Sequence, residues 1–474
     1  MKILLTGATG YIGKRLLPVL VEAGHEVVCC VRDKQRFNPP QSIKDKISTL
    51  EIDLLKKETL KSIPKDIDAA YYLVHSMSSS KNYQELEKLS AINFREAIKN
   101  TSTEQVIYLS GIINESKLSK HLMSRKEVEL ELEKGDYNLT TLRAGIIIGS
   151  GSASFEIIRD IVEKLPVMIT PKWLNTKCQP IGVADVIEFL LKTLFNVDTF
   201  NQNFDIGGPE VLTYKQMLLG FAKCRNLKRT ILIVPVMTPR LSSYWLYFVT
   251  STSYKLAVSL VNSMKVEVVC RDNRLNSILG IVPAGYEASI EKAFNKIENN
   301  AIVSSWKDSY SSSGIDFEVS DFIEVPTFGC FIDKRSSSIE NKEECLSKIW
   351  SIGGETGYYY GNALWRVRGF LDKLVGGVGL RRGRTNVDTI NTGDSVDFWR
   401  VLYAEKTEGR LLLFAEMKLP GEAWLEFKIV DEKLEQTATF RPLGLLGRLY
   451  WYSVLPFHGL IFRGMLRNIT KTES

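Results

Sequence analysis

The sequence predicts a doubly wound α/β domain built on a parallel sheet, followed by a smaller α+β domain built on an antiparallel sheet. Three observations carry this. An apolar run at residues 3–5 meets Gly7, Gly10 and Gly13, after which Leu16, Leu17, Leu20 and Val21 recur at helical spacing, so the stretch reads as strand, tight turn and helix. Short apolar runs then alternate with helix-period stretches as far as residues 204–206. Beyond Ile315 the chain changes to runs of strand type separated by short turns, which implies antiparallel pairing.

Composition bounds the rest. At 474 residues the chain is too long for one ordinary domain and about two or three are expected. Its 44% hydrophobic and 24% charged residues match a globular chain, and a net charge of +6 is too mild to make nucleic acid an expected partner. The seven cysteines are scattered without metal-ligand or secretory spacing, so no metal site is expected and a reducing cytoplasm fits best. The glycine turn follows so closely on the first residue that no leader is expected before it. No run reaches the roughly 18 apolar residues of a spanning helix, residues 231–237 and 244–249 coming nearest.

In the opening turn the first glycine permits the bend, the second lets backbone amides approach a pyrophosphate, and the third lets the helix pack closely on the strand. The helix N-terminus then presents free N–H groups and a positive dipole end to the phosphates. This G-x-x-G-x-x-G spacing resembles that of extended and atypical short-chain dehydrogenases/reductases, the NmrA-like branch included. The resemblance implies that Thr6, Gly7, Thr9, Gly10, Tyr11, Ile12 and Gly13 bind the cofactor.

Residues 26–31 read as the second strand, ending at Arg32 and Asp33, about 20 residues past the glycines, where an acid binds the adenosine ribose and an arginine accepts a 2′-phosphate. Arg32 at the strand end goes with NADP in the resembled families, and Asp33 keeps NAD open. A third strand, 49–52, is closed by Asp53 and Leu54, where related enzymes contact adenine. A fourth, 69–74, puts Val74, His75 and Ser76 at its carboxyl end, bordering the ribose or nicotinamide. A helix over 83–99, with Leu86, Leu89, Ile92 and Ala97 on one face, leads to a fifth strand, 106–109, and to Ser110, at the place of the superfamily's substrate-binding serine.

The superfamily's tyrosine and lysine, four residues apart on the next helix, are missing. At that spacing the chain offers His121 and Arg125, one turn apart on one helix face. His121 can carry a proton near neutral pH, whereas Arg125 stays charged. The other reading is a surface pair of Arg125 with Glu129. Strand 138–142, the Arg143 to Gly151 glycine loop, helix 155–164, Gln179-Pro-Ile, a helix around 185–194 and Phe204-Asp-Ile-Gly-Gly resemble the small substrate lobe of extended members. A loop-and-helix cover is expected over 230–279, a closing helix over 288–297, and an Asn- and Ser-rich linker over 299–313, which bounds the first domain at 1–298.

The second domain, 314–474, is expected to hold strands at 315–319, 322–327, 395–403, 410–418, 423–430 and 435–440, with helices near 343–352 and over 445–469. That order resembles helix-grip domains of the START and polyketide-cyclase type, which enclose an apolar pocket. Arg381, Arg382 and Arg384 in a glycine-rich stretch form either an anion site or a solvated basic turn. The tail over 441–471 has no acidic residue and mixes arginines with aromatics. It reads as a peripheral membrane contact or, more simply, as a core-facing helix interrupted at Pro456.

The expected function is an NADP-preferring reductase, with NAD possible, of a small apolar carbonyl or quinone-like substrate. Ser110 would polarise the carbonyl, His121 donate the proton and Arg125 orient charge. The alternatives are an NADP-binding regulator without catalysis, and a lipophilic-ligand carrier acting through the second domain.

Overall fold

The computed structural model describes residues 1–34, 37, 39, 41–75, 83–113, 120–150, 152–234, 264–298, 325, 330–381, 389–442 and 444–471. They fall into two compact units, the first up to residue 298 and the second from residue 325. Among the described residues no helix is long and apolar enough to cross a membrane.

The first unit is built on seven strands: β1 (Lys2–Thr6), β2 (Glu26–Val31), β3 (Ile47–Glu51), β4 (Ala69–Tyr72), β5 (Gln105–Gly111), β6 (Asn138–Ala144) and β7 (Gln202–Ile206). They lie in the order β3-β2-β1-β4-β5-β6-β7, and every pairing is parallel. The order reverses between β1 and β4, so a crevice opens there beyond the carboxyl ends of the strands. Its longer helices are α1 (Gly13–Glu22), α2 (Tyr83–Ile98), α3 (Lys120–Leu132), α4 (Ala153–Lys164), α5 (Val183–Thr193), α6 (Tyr214–Cys224) and α7 (Tyr286–Glu298).

Strand side chains alternate between faces. Ile3 and Leu5 meet α1 and α5 through Leu16, Leu20, Phe189 and Leu190, while Leu4 turns to the opposite layer with Tyr72, Phe94, Tyr108 and Val128. Burial on both faces explains why these strands read as continuous apolar runs. Beside the sheet, α4, α6 and α7 bring together Phe155, Phe221 and Phe294, with ring centroids 5.4 to 5.7 Å apart. There Val167–Pro171 pairs in parallel with Thr230–Val234.

One helix face differs from expectation. On α2 the buried residues are Glu87, Ser90, Ala91, Asn93, Phe94 and Ile98, whereas Leu89 is 41% exposed. Apolar periodicity pointed to Leu86 and Leu89 because two polar side chains, Glu87 and Asn93, occupy the inward stripe for reasons of local bonding.

The second unit is a six-stranded antiparallel sheet: β8 (Phe331–Ser338), β9 (Ser395–Val396), β10 (Trp399–Glu405), β11 (Arg410–Ala415), β12 (Gly421–Val430) and β13 (Lys433–Pro442). Their order is β8-β13-β12-β11-β10-β9. Helices α8 (Lys342–Trp350), α9 (Asn362–Leu374) and α10 (Gly444–Thr470) accompany it. The core gathers Trp350, Trp365, Phe398, Leu413, Phe427, Phe462 and Met465.

The run expected as one strand over 395–403 is a hairpin. It folds at Asp397, whose φ of 53° suits a tight turn and whose carboxylate accepts from Tyr358 Oη at 2.9 Å. Strand β8 and helix α9 were not expected. Pro456 lies inside α10 and does not interrupt it. The strands expected over 315–319 and 322–327 lie outside the described residues apart from Val325, as do the linker 299–313, residues 235–263 of the expected cover, and Arg382 and Arg384.

Among the described residues no disulfide forms, and Cys29, Cys30, Cys178 and Cys345 are buried.

Candidate functional site

The glycine turn sits at the mouth of the crevice. Gly7 has φ +72°, and a Cβ there would lie 2.7 Å from the Leu73 carbonyl oxygen on the neighbouring strand's extension. The Gly10 amide closes the turn on Gly7 O at 2.8 Å. At Gly13 a Cβ would meet Gly7 O at 2.2 Å, so the first turn of α1 lies directly against the bend. Ile12, before the helix, supplies no side-chain cap, and the first turn holds no acid. Amides at a helix start without such a cap favour an anion.

Two further contacts fix this turn. Thr6 Oγ1 donates to Tyr71 O at 2.9 Å and accepts from the Leu73 amide at 3.3 Å, which fastens β1 to β4 where the sheet order reverses. Arg15, 8% exposed, donates to Ser150 O at 2.7 Å and Tyr11 O at 3.2 Å, and its guanidinium lies 4.0 Å from the Tyr11 ring centroid. Tyr11 is thereby held between α1 and the segment after β6. Thr9 lies within the same turn.

Just past β2, Arg32 is exposed and Asp33 is buried at 9%. Asp53 is drawn into its own turn: Oδ1 accepts from the Leu55 amide at 3.0 Å, and its amide donates to Thr59 Oγ1 at 3.1 Å. Leu54 O accepts from Asn93 Nδ2 at 2.8 Å, which explains why α2 buries that asparagine.

At the opposite end, β4 and β5 lie side by side and carry His75 and Ser110 past or at their carboxyl ends. His75 Nδ1 bonds Glu87 Oε1 at 2.8 Å, and Ser124 Oγ donates to Glu87 Oε2. Burial opposes ionisation of Glu87, but hydrogen bonds from His75 and Ser124 and the charge of Arg125 outweigh it and hold the carboxyl at about 2. Burial and Arg125 pull His75 below the ordinary imidazole range, with Glu87 acting against them. Such an imidazole is neutral at pH 7, with the proton on Nδ1 facing the carboxylate.

Arg125 is not the surface partner of Glu129. Its Nη1 donates to Leu109 O at 2.9 Å, one residue before Ser110, while Glu129, 2% exposed, pairs with Arg143 at the end of β6, Nε to Oε2 being 3.1 Å. The strand-end carbonyl and the Arg143 guanidinium compete better than a neighbour on the same helix. Ser110, 3% exposed, finds no hydrogen-bond partner for Oγ among the described residues. His121 lies in the first turn of α3, Val74 directly precedes His75, and Ser76 lies outside the described residues.

The structure thus brings His75, Ser110 and Arg125 into one cluster. Glu87, Ser124 and Arg15 belong to it or brace it, and sequence reading missed all three. The available signal was a carboxylate at position 87 in register with Ala91 and Phe94 on the buried stripe of a helix.

Residues 7–153 match the family described as NAD(P)H-binding, and residues 330–465 match one described as a protein of unknown function (DUF2867). Divinyl chlorophyllide a 8-vinyl-reductase of Cucumis sativus is 23% identical over 223 residues, 44% of this chain and 52% of that protein. Photosystem II assembly factor Ycf39 of Trieres chinensis is 24% identical over 218 residues, 44% of this chain and 65% of that protein. The chain therefore spans less than two thirds of the length of either relative. A nucleoside-diphosphate-sugar epimerase from Staphylococcus aureus superposes with a TM-score of 0.51 at 14% identity, over 61% of this chain and 100% of that one, a likeness of fold. The glycine turn at a helix start without a side-chain cap and the family match fall on the same residues: the first unit is a Rossmann-like domain whose residues 7–153 match a family described as NAD(P)H-binding.

Proposed function

We propose that the chain is a cytoplasmic, NADPH-preferring reductase of an apolar carbonyl or quinone-like substrate. The observation that carries this reading is the convergence of the glycine turn, His75 and Ser110 at the carboxyl ends of the adjacent strands β1, β4 and β5. The nicotinamide cofactor supplies hydride when bound. The amides of the turn and of α1 hold the pyrophosphate, and Arg32 binds the 2′-phosphate. His75 borders the ribose or nicotinamide. Ser110 Oγ polarises the substrate oxygen, His121 donates the proton and Arg125 steadies the developing negative charge. The reductase name of the Cucumis relative supports a reductive reaction. The second domain is read as helix-grip-like, which its antiparallel sheet and long closing helix support.

Titration with NADPH and NADH, followed by cofactor fluorescence, tests the binding half. Arg32→Ala is expected to weaken NADPH by about tenfold or more and leave NADH unchanged, because only NADP carries the phosphate that a guanidinium grips. Equal loss for both cofactors removes Arg32 from that role, and no binding of either makes the glycine turn a purely structural bend.

Turnover of 9,10-phenanthrenequinone with NADPH tests the chemistry. His121→Ala is expected to lower kcat by roughly 100-fold or more, the ordinary range for a lost general acid. Unchanged turnover removes His121 from the reaction.

A further inference from the structure

Between α9 and α10 the second domain opens a cavity of about 460 Å³. Ligand sites run from roughly 300 to 1,000 Å³ and are mostly apolar with a few convergent polar groups. This one follows that pattern, with Leu364, Leu371, Met417, Phe457, Ile461 and Phe462 in its wall and the cations Arg368 and Lys418 among them.

Arg368 Nη2 donates to Tyr450 Oη at 2.9 Å, its Nε lies 3.3 Å from Met417 Sδ, and its guanidinium is 5.8 Å from the Trp365 ring centroid. Among the described residues neither Arg368 nor Lys418 forms an ion pair with a carboxylate. The acids nearby are otherwise engaged. Asp372, in the wall, accepts from the Gly379 and Lys418 amides at 2.7 Å each, and Asp333 is held by Arg335 at 2.9 Å and His458 at 3.1 Å. His458 is neutral at pH 7, since burial pulls it down to about 4 against the opposing pull of Asp333.

A half-buried guanidinium in an apolar wall, without a carboxylate partner, lacks the counter-charge that would offset its desolvation. A ligand can supply it. The apolar wall continues outward along α9, where Val367, Phe370 and Leu374 are each more than half exposed at 55%, 57% and 56%. Trp365 and Phe462, also in the wall, join Phe398 in the core of the domain.

We propose that this cavity binds a single-chain anionic amphiphile, of the fatty-carboxylate type, with its head on Arg368, Tyr450 and Lys418 and its chain along Leu371, Phe457 and Ile461. The proposal is independent of the reductase reading and of cofactor.

Calorimetric titration of the full chain with decanoate below its aggregation concentration tests it, with decanol as the uncharged chain of equal length and phosphatidylglycerol vesicles as a bilayer. The expected result is one decanoate per chain, bound about tenfold or more tighter than decanol. Arg368→Gln should remove about that factor for decanoate and leave decanol unchanged, while Arg368→Lys restores part of it. Lys418→Gln, at an exposed position where folding is not at stake, should weaken decanoate in the same direction. No decanoate binding, equal affinity for decanol, insensitivity to both glutamine variants, or binding to vesicles alone would overturn the proposal.

Discussion

A Glu416→Ala protein is expected to lose about 3–5 kcal/mol of the stability of its C-terminal domain. Arg400 and Glu416 have side chains at 0% exposure, with Nε to Oε1 at 2.9 Å and Nη2 to Oε2 at 3.4 Å. Arg400 Nη1 also donates to Gly393 O at 2.7 Å, so the guanidinium is bonded on two sides inside an apolar layer. Removing the acid takes away the carboxylate that offsets the guanidinium's charge, while the arginine keeps every cost of having left water. Against a total of about 5–15 kcal/mol for an ordinary domain, that loss is large. Urea unfolding followed by tryptophan fluorescence measures it. The paired change Arg400→Met with Glu416→Leu should recover most of the loss, because two apolar groups of similar size leave no charge behind. A single-variant loss below about 1 kcal/mol would mean that water reaches the pair.

The second large effect lies at Gly13. In a Gly13→Ala protein the new Cβ meets Gly7 O at 2.2 Å, Gly7 C at 2.9 Å and Ala8 Cα at 3.0 Å. All three are backbone atoms of the glycine bend and cannot swing aside as a side chain would. Either α1 withdraws from β1 or the bend opens, and a misplacement of ~1 Å at a binding site costs on the order of 100-fold. Affinity for NADPH and NADH should fall together by about that factor. Gly24→Ala is the control: its φ of +83° strains an alanine, but nothing lies within 4 Å of the added atom. That variant should lose about 1 kcal/mol of stability and bind cofactor normally. Equal loss of binding in both would assign the effect to general destabilisation.

Much of this molecule was legible before its coordinates. The bounds of β2 agree to the residue, because an apolar run between Gly24 and Arg32 leaves little choice. The glycine turn was legible because three backbone constraints at fixed spacing are written in residue identity. What escaped was set by partners distant in sequence. Glu87 faces inward only because His75 and Ser124 meet it there, and Glu129 abandons its own helix because Arg143 arrives from β6. Strand β8 was missed because its sequence, Phe-Ile-Asp-Lys-Arg-Ser-Ser-Ser, is polar, yet it pairs with β13 along all its length. Helix α9 hid for the opposite reason. It exposes Val367, Phe370, Leu371 and Leu374, so its apolar residues do not form a single inward stripe.

The buried thiols give each unit its own chemical clock. Burial pushes Cys29 up to about 12 in β2 and Cys345 up to about 11 in α8, so at pH 8 almost none of either is in the thiolate form that an alkylating reagent attacks. Labelling then proceeds through transient opening of the surrounding structure, and its rate reports how often each core comes apart. Because β2 flanks the strand that carries the glycine turn, saturating nicotinamide nucleotide should slow the clock at Cys29 by mass action. The clock at Cys345 runs on the stability of the other sheet.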